Sequence, residues 1–114
     1  MAHEIKIRKA GGTWVVRAGG AVIGESKRAL ELSENGYPNR IYFPRDDIAM
    51  AFLDKSEKST SCPFKGEASY LTIVTKSTTI KDAAWSYDAP EDEVADIAGH
   101  ICFFENDRVA VEQL

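Results

Sequence analysis

The sequence predicts an all-β domain of short, mainly antiparallel strands with one brief helix, folded as small sheets or a partly open barrel. Paired glycines, Gly11-Gly12 and Gly19-Gly20, separate short runs that are rich in β-branched and aromatic residues, as expected for strands joined by tight turns. Only residues 44–54 are a strong candidate for an amphipathic helix. The length of 114 residues allows one hydrophobic core, so we expect a single domain over residues 1–114.

The first three predicted strands follow one another closely. Residues 5–10 alternate apolar and basic side chains, residues 13–18 are β-branched and aromatic, and residues 21–24 begin a third strand. Because paired glycines lie between them, we expect these strands to form an antiparallel meander.

The next predicted pair depends on a choice between helix and strand. Residues 26–33 fit a helical face, but they also fit a strand in which Leu30 and Leu32 alternate with Glu31. We prefer the strand, because the turn-forming residues 35–38 end it abruptly and residues 40–44 supply an antiparallel partner.

Residues 44–54 are the only strong helix candidate. Asp46 and Asp47 stand where a helix N-terminus favours negative charge, and Ile48, Met50 and Leu53 contribute to an apolar stripe. The polar residues 54–59 that follow are expected to form a solvated connection.

The C-terminal half predicts two hairpins. Residues 70–75 have the strongest strand propensity in the chain, and residues 79–87 are expected to pair with them. Acidic residues 89–93 are expected to form a solvated loop. Residues 97–104 and 108–111 are predicted to form a final hairpin across the turn-forming residues 105–107.

Charge and hydropathy exclude several classes of partner. The net charge of −4 and the pI of about 5.2 argue against a nucleic-acid partner or an anionic membrane surface. No run of about 18 apolar residues is present, so no membrane span is expected. The N-terminal residues 1–6 are charged where a secretory signal would be apolar, so we expect a cytoplasmic protein.

The cysteines and histidines do not have the spacing of a metal site. Cys62 and Cys102 are too few for a disulfide framework and are expected to be thiols. Together with His3 and His100 they are scattered along the chain, and neither a Cys-x-x-Cys nor a His-x-x-x-His pair exists. We therefore expect no structural zinc, no other metal and no cofactor.

Chemically distinctive residues are most concentrated in the segment Cys62-Pro63-Phe64-Lys65-Gly66, which combines a thiol, a rigid proline ring, an aromatic and a cation in one turn. Lys65 could activate the Cys62 thiol as a nucleophile or redox centre. We favour the alternative of a small apolar residue in a tight turn, because no histidine close in sequence offers a base.

The cations and aromatics supply the remaining candidates. Arg17 and Lys65 are candidate contacts for an anion, although Arg17 could instead pair with Glu31 or Glu34. Lys65 is expected either within ion-pair distance of a carboxylate or beside a bound anion. Trp85 and Tyr87 alternate with Ser86, so their rings are expected to share one face of a strand, more often as core than as a stacking platform.

The order of motifs resembles the domain-of-unknown-function family numbered 427. The matching positions run nearly end to end: Arg17, Ser26, Ala29-Leu30, Glu34, Tyr42-Phe43-Pro44, Asp47, Thr60, Cys62-Pro63-Phe64-Lys65-Gly66, Ala68, Tyr70, Ala84-Trp85-Ser86-Tyr87, Pro90, Ile97-Ala98-Gly99-His100 and Phe103-Phe104. The resemblance implies an all-β fold with a topology similar to that of methionine sulfoxide reductase B.

The resemblance implies almost nothing about activity. The family carries a nucleotidyltransferase label, which this sequence does not support. That activity needs closely spaced carboxylates for Mg²⁺ and a glycine-rich or basic phosphate grip, whereas Asp46-Asp47 are expected to begin a helix and the paired glycines Gly11-Gly12 and Gly19-Gly20 to form hairpin turns. The four-cysteine zinc site common in that fold group is also absent from the sequence.

The leading hypothesis is a module that binds a small molecule, anionic metabolites included, in a cleft near residues 62–66 and 85–87. The candidate ligand-binding residues are Arg17, Glu31, Tyr42, Cys62, Lys65, Trp85 and Tyr87. One alternative is an enzyme that uses Cys62 as nucleophile or redox thiol. Another is a structural or protein-interaction domain.

Overall fold

The protein consists of two antiparallel β-sheets. The structure, a computed structural model, describes residues 4–114. Met1, Ala2 and His3, which contribute to the predictions about a secretory signal and zinc, lie outside the described residues.

Within residues 4–114, ten strands make up the two sheets. They are β1 Ile5–Lys9, β2 Trp14–Ala18, β3 Ala21–Ser26, β4 Leu30–Glu34, β5 Tyr37–Phe43, β6 Leu53–Cys62, β7 Gly66–Val74, β8 Thr79–Ser86, β9 Ile101–Phe103 and β10 Val109–Gln113. The large sheet has the order β1-β4-β5-β9-β8-β7-β6, and the small sheet has the order β10-β2-β3. The predicted all-β class is confirmed, and the sheets do not close into a barrel.

The two faces of the large sheet have different roles. Because successive side chains of a strand point to opposite faces, Tyr42 and Phe43 lie on opposite sides of β5. Phe43 is buried in a cluster with residues of the small sheet, among them Val16 and Ile23. Tyr42 belongs to a second cluster with Leu32 and Trp85. The first cluster holds the sheets together, and the second lies on the face turned away from the small sheet.

Several predicted pairings are confirmed. Strand β4 pairs antiparallel with β5, with Leu30 opposite Tyr42, which supports the choice of strand over helix in this segment. Strand β7 pairs with β8, with Tyr70 opposite Trp85. Strand β2 pairs with β3 as the paired glycines predict.

The first strand of the predicted meander was assigned the wrong partner. Strand β1 pairs with β4, with Ile7 opposite Leu32, and it does not pair with β2. Ile5 and Ile7 pack against the cluster that contains Leu32 and Tyr42. The glycine turn therefore carries the chain from one sheet to the other, because burial of these isoleucines decides the partner.

The predicted final hairpin was also wrong. Strand β9 lies between β5 and β8, whereas β10 pairs with β2 of the small sheet, with Val111 opposite Val16. The turn itself is present, since the backbone N–H of Arg108 donates to Asn106 Oδ1 at 2.8 Å. It redirects the chain between sheets instead of closing a hairpin.

The predicted helix is reduced to two short 3₁₀ turns, Arg45–Asp47 and Met50–Phe52. Ile48 between them is extended and forms a bridge with Gly24, and the N–H of Ala49 donates to Ile23 O at 2.8 Å. This pairing with β3 interrupts the helix. A third 3₁₀ segment, Asp92–Ile97, extends over part of the acidic stretch that was expected to be a solvated loop, and it buries Val94 and Ile97.

The predicted connection at residues 54–59 is part of strand β6, the edge strand of the large sheet. An edge strand exposes much of its surface, so its side chains are polar and its apolar pattern is weak. Among residues 4–114, no helix has the length and apolar composition needed to cross a bilayer.

Candidate ligand-binding cleft

A cleft of about 460 Å³ lies on the face of the large sheet that is turned away from the small sheet. Its floor is made of aromatic side chains from β5, β7 and β8 and from the residues that directly follow β8 and β9: Tyr42, Tyr70, Trp85, Tyr87 and Phe104. Trp85 and Tyr87 both line it, as their alternation with Ser86 predicts. The turn at residues 63–65 forms part of its wall.

The aromatic floor is held by contacts among its own members. Trp85 Nε1 donates to the Tyr42 hydroxyl at 3.2 Å, and the two rings meet edge to face with centroids 6.4 Å apart. The centroid of the Phe104 ring lies 4.4 Å from that of Trp85 and 6.2 Å from that of Tyr70, on which the Phe104 ring stacks. A hydrogen bond of 3.0 Å joins the Tyr70 hydroxyl to Thr60 Oγ1. These partners fix the rings before any ligand arrives.

Two tyrosines of the floor, Tyr42 and Tyr87, are neutral at physiological pH. Burial raises the pKa of Tyr42 well above its ordinary value, with a smaller contribution from Cys102. Burial likewise raises the pKa of Tyr87, with smaller contributions from Cys62, Tyr70 and Glu34. The charge of the cleft lining therefore comes from Glu34, Arg40 and Lys65.

The turn from Cys62 to Gly66 is fixed by its backbone. The N–H of Lys65 donates to Cys62 O at 3.3 Å, and the N–H of Glu91 donates to Lys65 O at 3.0 Å. Gly66 has a φ of 109°, a conformation that residues with a Cβ rarely adopt. The glycine therefore lets the chain enter β7 while the turn stays against residues 89–91.

Lys65 is paired with a carboxylate, as predicted. Its Nζ lies 2.6 Å from Glu34 Oε1, and the two side chains are only 12% and 9% exposed. Lys65 belongs to the turn between β6 and β7, whereas Glu34 ends β4. The ion pair therefore connects two distant parts of the cleft wall.

Arg40 is the second cation of the cleft. Its guanidinium carbon lies 5.4 Å from the centroid of the Trp85 ring, and the residue is half-buried. In the part of the chain that the structure describes, its side chain has neither a hydrogen-bond acceptor nor an ion-pair partner. By contrast, Arg8 pairs with Glu31 and Arg45 pairs with Asp88.

Five of the seven predicted site residues line this cleft: Tyr42, Cys62, Lys65, Trp85 and Tyr87. Arg17 and Glu31 do not. Arg17 lies on the small sheet, where its Nε is 3.3 Å from Glu112 Oε1, so it pairs with neither Glu31 nor Glu34. Glu31 accepts from Arg8 Nε at 2.8 Å.

Sequence reasoning missed Arg40, Tyr70 and Phe104 as residues of the cleft. The alternation of Arg40 with Tyr42 along β5 was the available signal, since residues two apart share a face. Phe104 follows β9, whose place between β5 and β8 the sequence did not indicate. Tyr70 was recognised in a strand, but its side of the sheet depends on the pairing with Trp85.

The two thiols have different surroundings. Cys62 is half-buried and lines the cleft, whereas Cys102 is buried beneath its floor, opposite Tyr42 and Trp85 in the sheet. Burial raises the pKa of the Cys102 thiol. His100 lies in a separate depression with Pro44 and Arg45. Within residues 4–114, no three metal-ligating side chains gather into a group that could hold a metal ion.

Comparison with known families agrees with the motifs in the sequence. The model of a family described as a domain of unknown function (DUF427) matches residues 6–113. The chain belongs to this family. The match confirms the resemblance inferred from the motifs. A search of curated proteins finds no match to the chain.

Proposed function

We propose that this member of the DUF427 family is a module that binds a small molecule carrying a flat ring and an anionic group. The observation that carries the proposal is the pre-formed aromatic floor, in which the polar groups of Trp85 and Tyr70 are already bonded within the protein. Phe104, 36% exposed, offers the largest ring surface of this floor, and the buried rings beneath it hold it in place, so a ligand ring could bind at little ordering cost. The volume of about 460 Å³ suits a small ligand.

The charge of the lining supports an anionic ligand. Glu34 and Lys65 form an ion pair at 2.6 Å, and among residues 4–114 Arg40 is the lining cation that has no ion-pair partner. The cleft is thus locally positive in a protein whose net charge is −4. A cleft with low-dielectric walls concentrates such a field and attracts ions of opposite charge.

The geometry gives less support to an enzyme that uses Cys62. An activated thiol needs a base or a cation within hydrogen-bonding reach. The ammonium of Lys65 is engaged by Glu34, and His100 lies in another depression. Exposed aromatics at the rim, Tyr37 and Phe64, are the feature that would suit an interaction domain instead.

We also propose a cytoplasmic location and no nucleic-acid partner. Both cysteines are free thiols, as is usual in a reducing compartment. The acidic net charge opposes binding to a phosphate backbone.

The proposal is tested by chemical modification of Cys62, which lines the cleft. A library of small ring-bearing anions is screened by ligand-observed NMR against the protein before and after treatment with N-ethylmaleimide, which adds a bulky group to an accessible thiol. We expect hits whose binding is lost once Cys62 is modified. The Cys62→Ser protein, treated identically, is the control and should keep its binding. Hits that survive modification of Cys62 would place binding elsewhere, and a library without hits would contradict the proposal.

A further inference from the structure

Arg40 stands out among the charged residues of the cleft. Lys65 and Glu34 form a largely buried pair, and the Arg40 side chain has no acceptor or ion-pair partner among residues 4–114. We infer that Arg40 determines ligand specificity by selecting a single carboxylate attached to a flat ring. The inference rests on the proposed function, since it names the ligand class of the same cleft.

The position of the guanidinium prepares it for this contact. It lies over the Trp85 ring, with 5.4 Å between the guanidinium carbon and the ring centroid. A cation over a ring face is held by the ring quadrupole. The N–H bonds of a guanidinium lie in its own plane and form a fork that matches the two oxygens of a carboxylate. The contact with Trp85 therefore restrains Arg40 and leaves its donors available.

Charge balance favours a carboxylate over a phosphate. Among residues 4–114, the side chains that line the cleft hold one positive charge more than they hold negative charge, because Glu34 compensates Lys65. Lys58, whose Nζ lies 4.6 Å from the centroid of the Tyr70 ring, is not one of the lining residues. A carboxylate carries one negative charge, whereas a phosphate monoester carries about 1.5 to 2 at pH 7. The excess charge of a phosphate would remain partly desolvated without a partner, which is costly.

The aromatic floor favours a ligand with a flat ring. The exposed ring in this region is Phe104, which lies against Trp85, the ring that Arg40 covers. A flat ring gains offset-stacked or edge-to-face contacts there. An aliphatic acid would keep the contact with Arg40 but lose these ring contacts.

The test uses three probes with the same two-ring system: naphthoate, naphthyl phosphate and the neutral naphthalenemethanol. Isothermal titration calorimetry measures the dissociation constant of each probe for the wild type, Arg40→Gln and Arg40→Lys. Arg108→Gln is the matched control, because it removes the same charge from an exposed arginine outside the cleft. Dispersed amide NMR spectra establish that each variant is folded.

We expect the wild type to bind naphthoate more tightly than either other probe. Arg40→Gln should lower the affinity for naphthoate by about tenfold or more, the scale of a lost charged hydrogen bond. It should leave the affinity for naphthalenemethanol unchanged. Arg40→Lys should restore affinity only in part, because an ammonium lacks the fork. Arg108→Gln should behave as wild type.

Two kinds of failure are distinguishable. If naphthoate and the alcohol bind equally, if the phosphate binds best, or if Arg40→Gln leaves naphthoate affinity unchanged, the inference about Arg40 is overturned while binding in the cleft stands. If none of the three probes binds, the inference falls. The failure extends to the proposed function when the wider anion library also gives no hit at the cleft.

Discussion

The ammonium of Lys65 lies 2.6 Å from the carboxylate of Glu34, although three strands of the large sheet, β5, β9 and β8, separate β4 from β7. Glu34 ends β4, and Lys65 immediately precedes β7. Strands in a sheet are rotated relative to one another, so a wide sheet coils and its distant parts can approach on one face. The ion pair joins two such parts across the aromatic cleft.

Replacing Lys65 should destabilise the protein. Lys65→Met removes the ammonium that faces Glu34, whose side chain is only 9% exposed. We expect a loss of about 3 kcal/mol in the free energy of unfolding, measured by urea denaturation, because one half of a buried pair is costly without the other. Lys76→Met, at an exposed position, is the control and should change stability by less than about 0.5 kcal/mol. An equal effect of the two changes would show that the pair contributes little.

Trp85 should contribute to stability through its ring more than through its hydrogen bond. The residue is 7% exposed and contacts Tyr42 and Phe104. Trp85→Ala should cost about 3–5 kcal/mol, the range for a large buried aromatic. Trp85→Phe keeps a ring but loses the donor to Tyr42, so it should cost less than Trp85→Ala. A cost below about 1 kcal/mol for Trp85→Ala would place the ring at the surface.

Asp47 should make stability depend on pH in the acid range. Ser26 Oγ donates to Asp47 Oδ2 at 2.6 Å and Arg28 donates to Oδ1 at 3.0 Å, and these contacts hold the pKa of Asp47 below its ordinary value of about 3.9. A lowered folded-state pKa contributes stability above the unfolded-state value, and that contribution is lost as the pH falls through the folded-state pKa.

The free energy of unfolding should therefore be higher for the wild type than for Asp47→Asn. This difference should be largest near pH 7 and should shrink as the pH falls below about 4. Urea denaturation at several pH values measures it. Asp46→Asn, one residue earlier and exposed, is the control and should show a smaller pH-dependent difference. A difference between wild type and Asp47→Asn that stays constant from pH 7 to pH 3 would contradict the role assigned to Asp47.

The two thiols should differ in accessibility. Cys62 lines the cleft and is half-buried, whereas Cys102 is 1% exposed. We expect a thiol reagent to modify one cysteine in the folded protein and both in denaturant, with mass spectrometry identifying Cys62 as the first. The Cys62→Ser protein should resist modification until it unfolds. Protection of Cys62 in the native wild type would mean that its side chain is closed off from the cleft.

Local sequence patterns were sufficient for the hairpins that close within a few residues. The pairs β4–β5 and β7–β8 follow from turn residues between β-branched runs, and they place Tyr42 and Trp85 correctly within strands. The partners of β1, β9 and β10 depend on which sheet buries their apolar side chains. That choice involves residues distant in the chain, so turn signals did not reveal it.

The same distinction applies to the cleft. Cys62, Lys65, Trp85 and Tyr87 were found because they stand in dense local motifs. Arg40 stands in no such motif, and its importance follows from the ring it covers and from the absence of an ion-pair partner within residues 4–114. Arg17 had a suitable charge, but it belongs to a strand of the small sheet.

The most direct test of binding in the aromatic cleft uses the two tryptophans as internal reporters. Trp85 donates its indole N–H to Tyr42 on the cleft floor, whereas Trp14 donates to Gly11 O outside the cleft. In an amide and indole ¹H–¹⁵N NMR titration with naphthoate, we expect the Trp85 indole signal to shift in a saturable way while the Trp14 indole signal stays in place. If saturating naphthoate shifts only the Trp14 indole signal, or shifts neither indole signal, binding in the cleft is contradicted.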